Sequence, residues 1–275
     1  MAAATHMRCV LVFETVSLPP LWIAAARCRG GKPPQSQGGS KLPHSGTIVV
    51  VFFLRRLARL IAILATTAFL YAIYLVTRSK RIVRLWMSAM ARILGVRVEV
   101  SGSRPAGAFL LVSNHLGFLD ILVLGAATGV VFVAKSEIAG WPGLGHLASI
   151  TGTIYIDRQS ARDAIRVSEA IAGAVRGGAA VAIFPEGKST DGSSVLPFKP
   201  ALLESAARDE LPVYPATLHY DRDEAKWYGD ETFGANFWRL LALPRVNAAL
   251  RFGDAIRSRD RKELARRLHA IVSAG

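Results

Sequence analysis

The sequence predicts an α/β fold: a mixed, largely parallel sheet flanked by helices, preceded by a membrane helix and an amphipathic helix. Three observations predict it. From residue 96 onward, short apolar runs alternate with longer stretches of helical spacing, the pattern of a sheet with helical crossovers. Ahead of that lies a long uncharged run flanked by arginines. Of 275 residues, 51% are hydrophobic and only 20% charged, with a mean hydropathy of +0.31, which excludes wholesale disorder and points to membrane contact.

Residues 1–46 are unlike the rest. Val10 to Ala26 is mildly apolar but broken by Glu14, Pro19 and Pro20, and a run rich in Gly, Pro, Ser and Gln follows to Gly46. The expectation is a disordered leader, or translation assigned from too early a start. The two cysteines, Cys9 and Cys28, both fall here, so no disulfide framework or Cys-rich zinc site is expected.

Residues 47–95 read as membrane-anchoring helices. Arg55, Arg56 and Arg59 precede an uncharged run of 18 residues from Leu60 to Thr77, close to the roughly 20 that span a bilayer. Arg78, Lys80, Arg81 and Arg84 follow at once. Charge at both ends leaves spanning and deep interfacial burial open. Arg81 to Leu94 places Ile82, Leu85, Met90 and Ile93 near helical spacing, an amphipathic helix with Gly95 at its end.

Residues 96–275 form the expected catalytic domain. Strands are predicted at Val96–Val100, Phe109–Ser113, Val130–Ala134, Thr153–Ile156, Ala180–Phe184, Val213–Leu218 and Val246–Phe252. Helices are predicted at Leu119–Ala127, Leu144–Ile150, Ser160–Val175, Pro200–Arg208 and Arg261–Val272. In such a fold, functional residues sit on loops leaving strand ends.

The net charge of +14 invites a nucleic-acid reading, but its distribution argues against one. Residues 1–100 hold fourteen Lys and Arg against two acids; residues 101–275 hold twenty against eighteen. A basic excess beside apolar helices suits anionic lipid rather than a nucleic-acid face.

Two stretches carry chemistry. In Ser113-Asn114-His115-Leu116-Gly117-Phe118-Leu119-Asp120, an apolar strand feeds a loop and then a helix. Within one helix, His115 and Asp120 would point apart. With His115 on the loop and Gly117 permitting a turn, the carboxylate can reach back and fix the imidazole tautomer. The other ring nitrogen is then free to take a proton from a hydroxyl. The second stretch, Phe184-Pro185-Glu186-Gly187-Lys188-Ser189-Thr190-Asp191-Gly192, also leaves an apolar strand and offers small polar groups for a head group. His146 and His219 have no such partners and read as structural. Trp227, Tyr228, Phe233, Phe237 and Trp238 suit either lipid contact or core packing.

Together these stretches resemble the glycerolipid acyltransferases of the 1-acylglycerol-3-phosphate type, over about residues 80–255. The family's His-x4-Asp block falls on His115 and Asp120, preceded by Asn114, and its Phe-Pro-Glu-Gly block on Phe184 to Gly187. Gly152 to Arg158 and Leu211 to Ala216 match two further blocks in order. The family commonly reads Glu-Gly-Thr-Arg-Ser, its Arg held to grip a phosphate; here Ser189 stands in that place, with Lys188 just before it. Serine makes no bidentate phosphate contact. The extended run to Lys199 and the Trp227-Tyr228-Gly229-Asp230 segment look more like the lyso-ornithine lipid acyltransferase branch.

The resemblance implies a membrane-bound O-acyltransferase of membrane-lipid biosynthesis. It would move an acyl chain from acyl-CoA or acyl carrier protein to the hydroxyl of a lysolipid, of lysophosphatidic acid or lyso-ornithine lipid type. His115 and Asp120 would be catalytic. Asn114, Arg158, Glu186, Gly187, Lys188, Ser189 and Lys199 would bind substrate, Arg158 and Lys199 as candidates for acceptor or coenzyme A phosphates. No metal or cofactor beyond the thioester is implied, and no nucleic acid. The expected place is the bacterial inner membrane, with the catalytic domain on the cytoplasmic face. No Gly-x-Ser-x-Gly elbow occurs, so direct transfer without an acyl-enzyme is expected, with backbone N–H groups near the strand-to-helix turn as candidates to stabilise the oxyanion. A non-catalytic lipid-binding protein of the same fold is the competing reading, and a thioesterase a weaker one.

Overall fold

The computed structural model describes residues 45–157 and 160–275. Apart from Ser45 and Gly46, the expected leader lies outside these residues, as do both cysteines and Arg158. The described residues fall in one compact unit.

A seven-stranded sheet is its centre: β1 (Val96–Ser101), β2 (Phe109–Ser113), β3 (Val131–Lys135), β4 (Ile154–Ile156), β5 (Ala180–Ile183), β6 (Val213–Tyr220) and β7 (Val246–Phe252). Their spatial order is β1-β7-β6-β2-β5-β3-β4. The one antiparallel pairing is β6 with β7; the other five pairs are parallel. β2 takes the middle place, and all five of its residues are buried. That explains its unbroken apolar run, since a strand covered on both faces has no solvent side to alternate toward.

Two helical layers cover the sheet. On one face, α2 (Lys80–Ile93) and α3 (Phe118–Thr128) bring Met87, Met90, Leu119 and Leu122 against Phe109, Leu111, Leu218 and Leu250. On the other, α5 (Ala161–Arg176) and α8 (Arg261–Ser273) bring Val167, Ile171, Leu264 and Leu268 against Leu110, Val112, Val181 and Val213. Consecutive residues of β2 thus enter different cores, as strand pleating requires.

The α1 helix (Ser45–Thr77) holds the one segment among the described residues long and apolar enough to cross a membrane, Val50–Thr77. It packs along α2 rather than standing clear of the domain. Its apolar side chains remain open: Phe53, Leu54, Leu57, Ile61, Leu64 and Phe69 are all exposed. Leu54, Leu57, Ile61 and Leu64 recur every three or four residues, a stripe of the helix turned away from protein.

The predicted elements appear with three instructive differences. β6 runs two residues beyond the expected end at Leu218, to Tyr220, because β7 pairs with it through His219 and Tyr220. The helix expected over Pro200–Arg208 begins as a 3-10 turn at Pro200–Leu203, and only Glu204–Arg208 (α6) is α-helical. A helix not expected, α7 (Phe233–Leu240), follows Thr232, whose hydroxyl accepts from the Ala235 N–H. That threonine cap was readable; the aromatic run behind it drew attention to lipid instead of periodicity. α4 (Leu144–Ile150) lies where predicted.

Candidate active site

β2 ends at Ser113, at the edge where parallel β5 and β6 also end. The side chain of Asn114, next in line, extends the ladder: its amide donates to the Leu218 carbonyl at 2.9 Å and accepts from the Leu218 N–H at 2.8 Å. Both ends of that amide are thus spent on β6, and Asn114 is buried.

His115 follows and is gripped through its own backbone. Its N–H donates to Glu186 Oε1 at 2.7 Å, and its carbonyl accepts from the Thr190 N–H at 2.9 Å. The second motif loop therefore wraps the first. Glu186 Oε2 accepts from the Leu196 N–H at 2.8 Å. Burial pushes the Glu186 carboxyl above the usual carboxylate range, opposed by the Leu196 and His115 N–H donors.

The chain then turns at Gly117, whose φ of 150° lies in a region L side chains rarely adopt; a Cβ there would meet the Trp227 backbone nitrogen at 2.7 Å. Glycine is required on both counts. Trp227 approaches so closely because its N–H donates to the Leu116 carbonyl at 2.8 Å. Phe118 starts α3, so Asp120 sits in its first turn, where a carboxylate faces N–H groups and the positive end of the helix dipole.

Asp120 is wholly buried yet fully partnered. Oδ2 accepts from His115 Nδ1 at 2.7 Å, the Leu116 N–H at 2.6 Å and the Gly117 N–H at 2.9 Å. Oδ1 accepts from the Tyr220 hydroxyl at 2.8 Å. Burial, the Asp120 charge and this bond hold Tyr220 well above the ordinary phenol range, so it stays a neutral donor. An ionised carboxylate only accepts. Nδ1 therefore carries a proton, and Nε2 is the nitrogen left with a lone pair. Phe184 stacks on the imidazole at 4.1 Å between centroids, with planes 14° apart.

The arrangement can take a proton from a hydroxyl at Nε2 and stabilise the resulting imidazolium through Asp120. It also corrects one expectation. The N–H groups of Leu116 and Gly117 are already given to Asp120, so they are not free for an oxyanion.

The imidazole, 18% exposed, opens onto a cavity lined chiefly by apolar side chains, among them Trp86, Met87, Leu122, Phe132, Ile138 and Phe233. Lys135 is the one Lys or Arg among its lining residues, and its ammonium meets Glu137 at 2.7 Å. Sequence reasoning missed Lys135. Its signal was a lysine ending an apolar strand at the same sheet edge as the two motifs.

Phe184 and Val133 also line a second space, with Gly187, Lys199, Asp157 and Ala164. The Lys199 ammonium lies over Gly187, where a Cβ would come within 2.8 Å of it. Asn114, Glu186, Lys188 and Ser189 line neither space. Lys188 is exposed and Ser189 half-buried.

The Acyltransferase family matches residues 96–219, which span both motif loops and β6, and the chain belongs to that family: it is an acyltransferase. It is 34% identical over 200 residues to the lyso-ornithine lipid O-acyltransferase of Pseudomonas aeruginosa, covering 70% of this chain and 77% of that one. It is 29% identical over 207 residues to the 1-acyl-sn-glycerol-3-phosphate acyltransferase of Neisseria gonorrhoeae, covering 72% and 81%. The crystal structure of the 1-acyl-sn-glycerophosphate (LPA) acyltransferase PlsC from Thermotoga maritima shares the fold, with a TM-score of 0.63 at 17% identity over 83% of this chain and 94% of that one.

Proposed function

We propose that this chain moves an acyl group from a thioester, acyl-CoA or acyl carrier protein, to the hydroxyl of a lysolipid in membrane-lipid synthesis. The observation that carries the reading is the buried, fully partnered Asp120 holding His115 with Nε2 at the mouth of a large apolar cavity. His115 Nε2 takes the acceptor hydroxyl proton as the oxygen attacks the thioester carbonyl. Collapse of the tetrahedral intermediate expels the thiolate, which receives that proton from the imidazolium. Neither an acyl-enzyme nor a metal enters these steps.

The apolar cavity takes the donor's acyl chain. A lysolipid can leave its own chain in the bilayer, whereas a soluble donor must bring its chain out of water into an enclosed apolar space. Lys135 offers the cavity's mouth a positive charge for a phosphate or a developing oxyanion. Gly187 and Lys199, across Phe184, face the acceptor's head group. Asn114 and Glu186 act as positioning residues, since their polar atoms are spent on backbone. The acceptor is of lyso-ornithine lipid type, lysophosphatidic acid being the runner-up. Ser189 in place of a phosphate-gripping arginine supports this, as does the likeness to lyso-ornithine lipid O-acyltransferases. The exposed stripe of α1 holds the site at a membrane, the bacterial inner membrane with the catalytic domain on the cytoplasmic side, where both donors occur.

Membranes carrying wild type and His115→Ala test this with labelled acyl-CoA and acyl carrier protein, offered with lyso-ornithine lipid, lysophosphatidic acid and lysophosphatidylcholine. Transfer to lyso-ornithine lipid by wild type alone is expected. Lipid binding without His115-dependent transfer to any acceptor would overturn the enzyme reading in favour of a lipid-binding role.

A further inference from the structure

We infer that four aromatic side chains beside His115 form a cage for a positively charged group on the acceptor's head. The inference rests on the reading of the acceptor as a lysolipid of ornithine type, and names what in the site recognises its charge.

Phe118 opens α3, Trp141 follows the 3-10 turn Ser136–Gly140, Trp227 lies two residues past the 3-10 turn Asp223–Ala225, and Phe233 opens α7. The fold brings all four to the lining of the cavity that His115 opens onto. Phe233 is their hub. Its ring centroid lies 5.3 Å from that of Phe118, 5.6 Å from Trp141 and 5.7 Å from Trp227, with planes 79°, 52° and 69° apart. Rings set at such angles make walls rather than a stack. All four are only half-buried, so the cluster is not sealed core. Trp227 also sits against the catalytic loop, its Cβ 3.0 Å from where a Cβ on Gly117 would stand. Its Nε1–H donates to the Glu231 carbonyl at 2.7 Å, so the indole is fixed and its polar atom is spent.

Among the described residues that line this cavity there is no Asp or Glu. A cation entering it meets no carboxylate on the wall, and the charge of Lys135 is already matched by Glu137. Electron-rich ring faces attract positive charge, most strongly out of water. An ornithine head group, amide-linked to its chain, keeps a side-chain ammonium and a carboxylate. A phosphate head group brings no positive charge. The cluster therefore favours the first and gives the second nothing, a difference of affinities that amounts to selection, with Lys199 left for the carboxylate. The donor's chain keeps the part of the cavity between α2 and α4, where Trp86, Met87, Leu144 and Leu147 line it.

The test gives full-length enzyme in vesicles one thioester donor and three acceptors at neutral pH. These are lyso-ornithine lipid, the same lipid acetylated on its side-chain amine, and the same lipid trimethylated there. Acetylation removes the charge. Trimethylation keeps it while adding bulk and removing every N–H donor. Wild type is expected to use the free and trimethylated lipids with kcat/KM within a few-fold of each other, and the acetylated one about tenfold less well. Trp141→Leu and Phe233→Leu keep the walls apolar but remove a ring. Each should lower the trimethylated-to-acetylated ratio about three- to tenfold, and Trp141→Phe should keep most of it. A wild-type ratio near one, or a ratio unmoved in the leucine variants, would overturn the cage while leaving transfer to the lysolipid standing. No transfer to any of the three would overturn the acceptor reading and the cage with it. Should Phe233→Leu not accumulate, Trp141→Leu, outside any α-helix, decides by the same ratio.

Discussion

Asp120 shows how much one side chain carries here. Four donors converge on its two oxygens, and three of them belong to the loop that holds His115. Asp120→Asn tests charge apart from geometry. The amide oxygen can still serve the loop, while its NH2 turns to Tyr220, whose hydroxyl can accept. The fold should survive, with kcat falling about 10²–10⁴-fold, as expected when a base loses the charge that stabilises its protonated form; circular dichroism beside steady-state kinetics checks both halves. Glu186 differs, because both its oxygens accept N–H bonds. Glu186→Gln presents an NH2 to one of those donors, and the unmet buried group should cost about 1–3 kcal/mol. The raised carboxyl also sets a pH dependence. The folded state binds this proton more tightly than the unfolded chain does, so its contribution is present below the ordinary carboxylate range and is lost as pH rises through the raised value. Thermal melts across the acidic range should show that downward component in wild type and not in Glu186→Gln. The pairing of His115 with Asp120 was legible because a glycine sits between them. Tyr220 was not, because its partner lies 100 positions away and no spacing rule connects them.

Among the elements, α1 and α7 show most clearly how position is earned. Arg59 donates to the carbonyls of Leu240, Leu241 and Leu243, and Arg55 to that of Ala242. These carbonyls lie at and just past the C-terminal end of α7, where positive charge suits the helix dipole. Arg56 lies over the Trp238 ring at 4.8 Å, a cation–π contact. The arginines that the sequence presents as a membrane-flanking cluster are thus also fasteners between the apolar helix and the domain. From α7 the chain of contacts continues inward. Arg239 and Asn236 donate to the Lys226 carbonyl, and Trp227 beside it holds Leu116. Arg59→Met keeps the stem and removes the donors. It should cost about 1–3 kcal/mol through the unmet carbonyls, and amide exchange should quicken first at residues 240–243. The strands were readable almost residue by residue, since their apolar runs are short and bounded by turns. α7 was not, because eight residues rich in aromatics fit a lipid-facing loop and a packed helix equally well.

Across the whole molecule, an exposed apolar stripe on α1 sits beside a site whose main cavity is apolar. Substrate and enzyme are therefore matched to the same solvent boundary. A charge on the stripe should loosen the protein from lipid without touching the site: Leu64→Glu and Phe69→Glu, at side chains 62% and 65% exposed, are expected to shift enzyme from the membrane pellet to the soluble fraction. Release should be stronger in high salt, which screens the basic residues following α1. Activity on detergent-dispersed substrate should stay near wild type. The order of elements, the apolar helix, the two motif loops and the pairing of His115 with Asp120 could all be read along the chain. Each depends on local signals: periodicity, glycine at a turn, and residues within a few positions of one another. The hydrogen bonds of Asn114 and Glu186 to backbone groups, the occupied N–H groups of Leu116 and Gly117 and Lys135 at the cavity came only with the folded chain. Those facts concern which partner each polar atom finds across the sheet and between layers, and burial makes such partners obligatory without marking them in sequence.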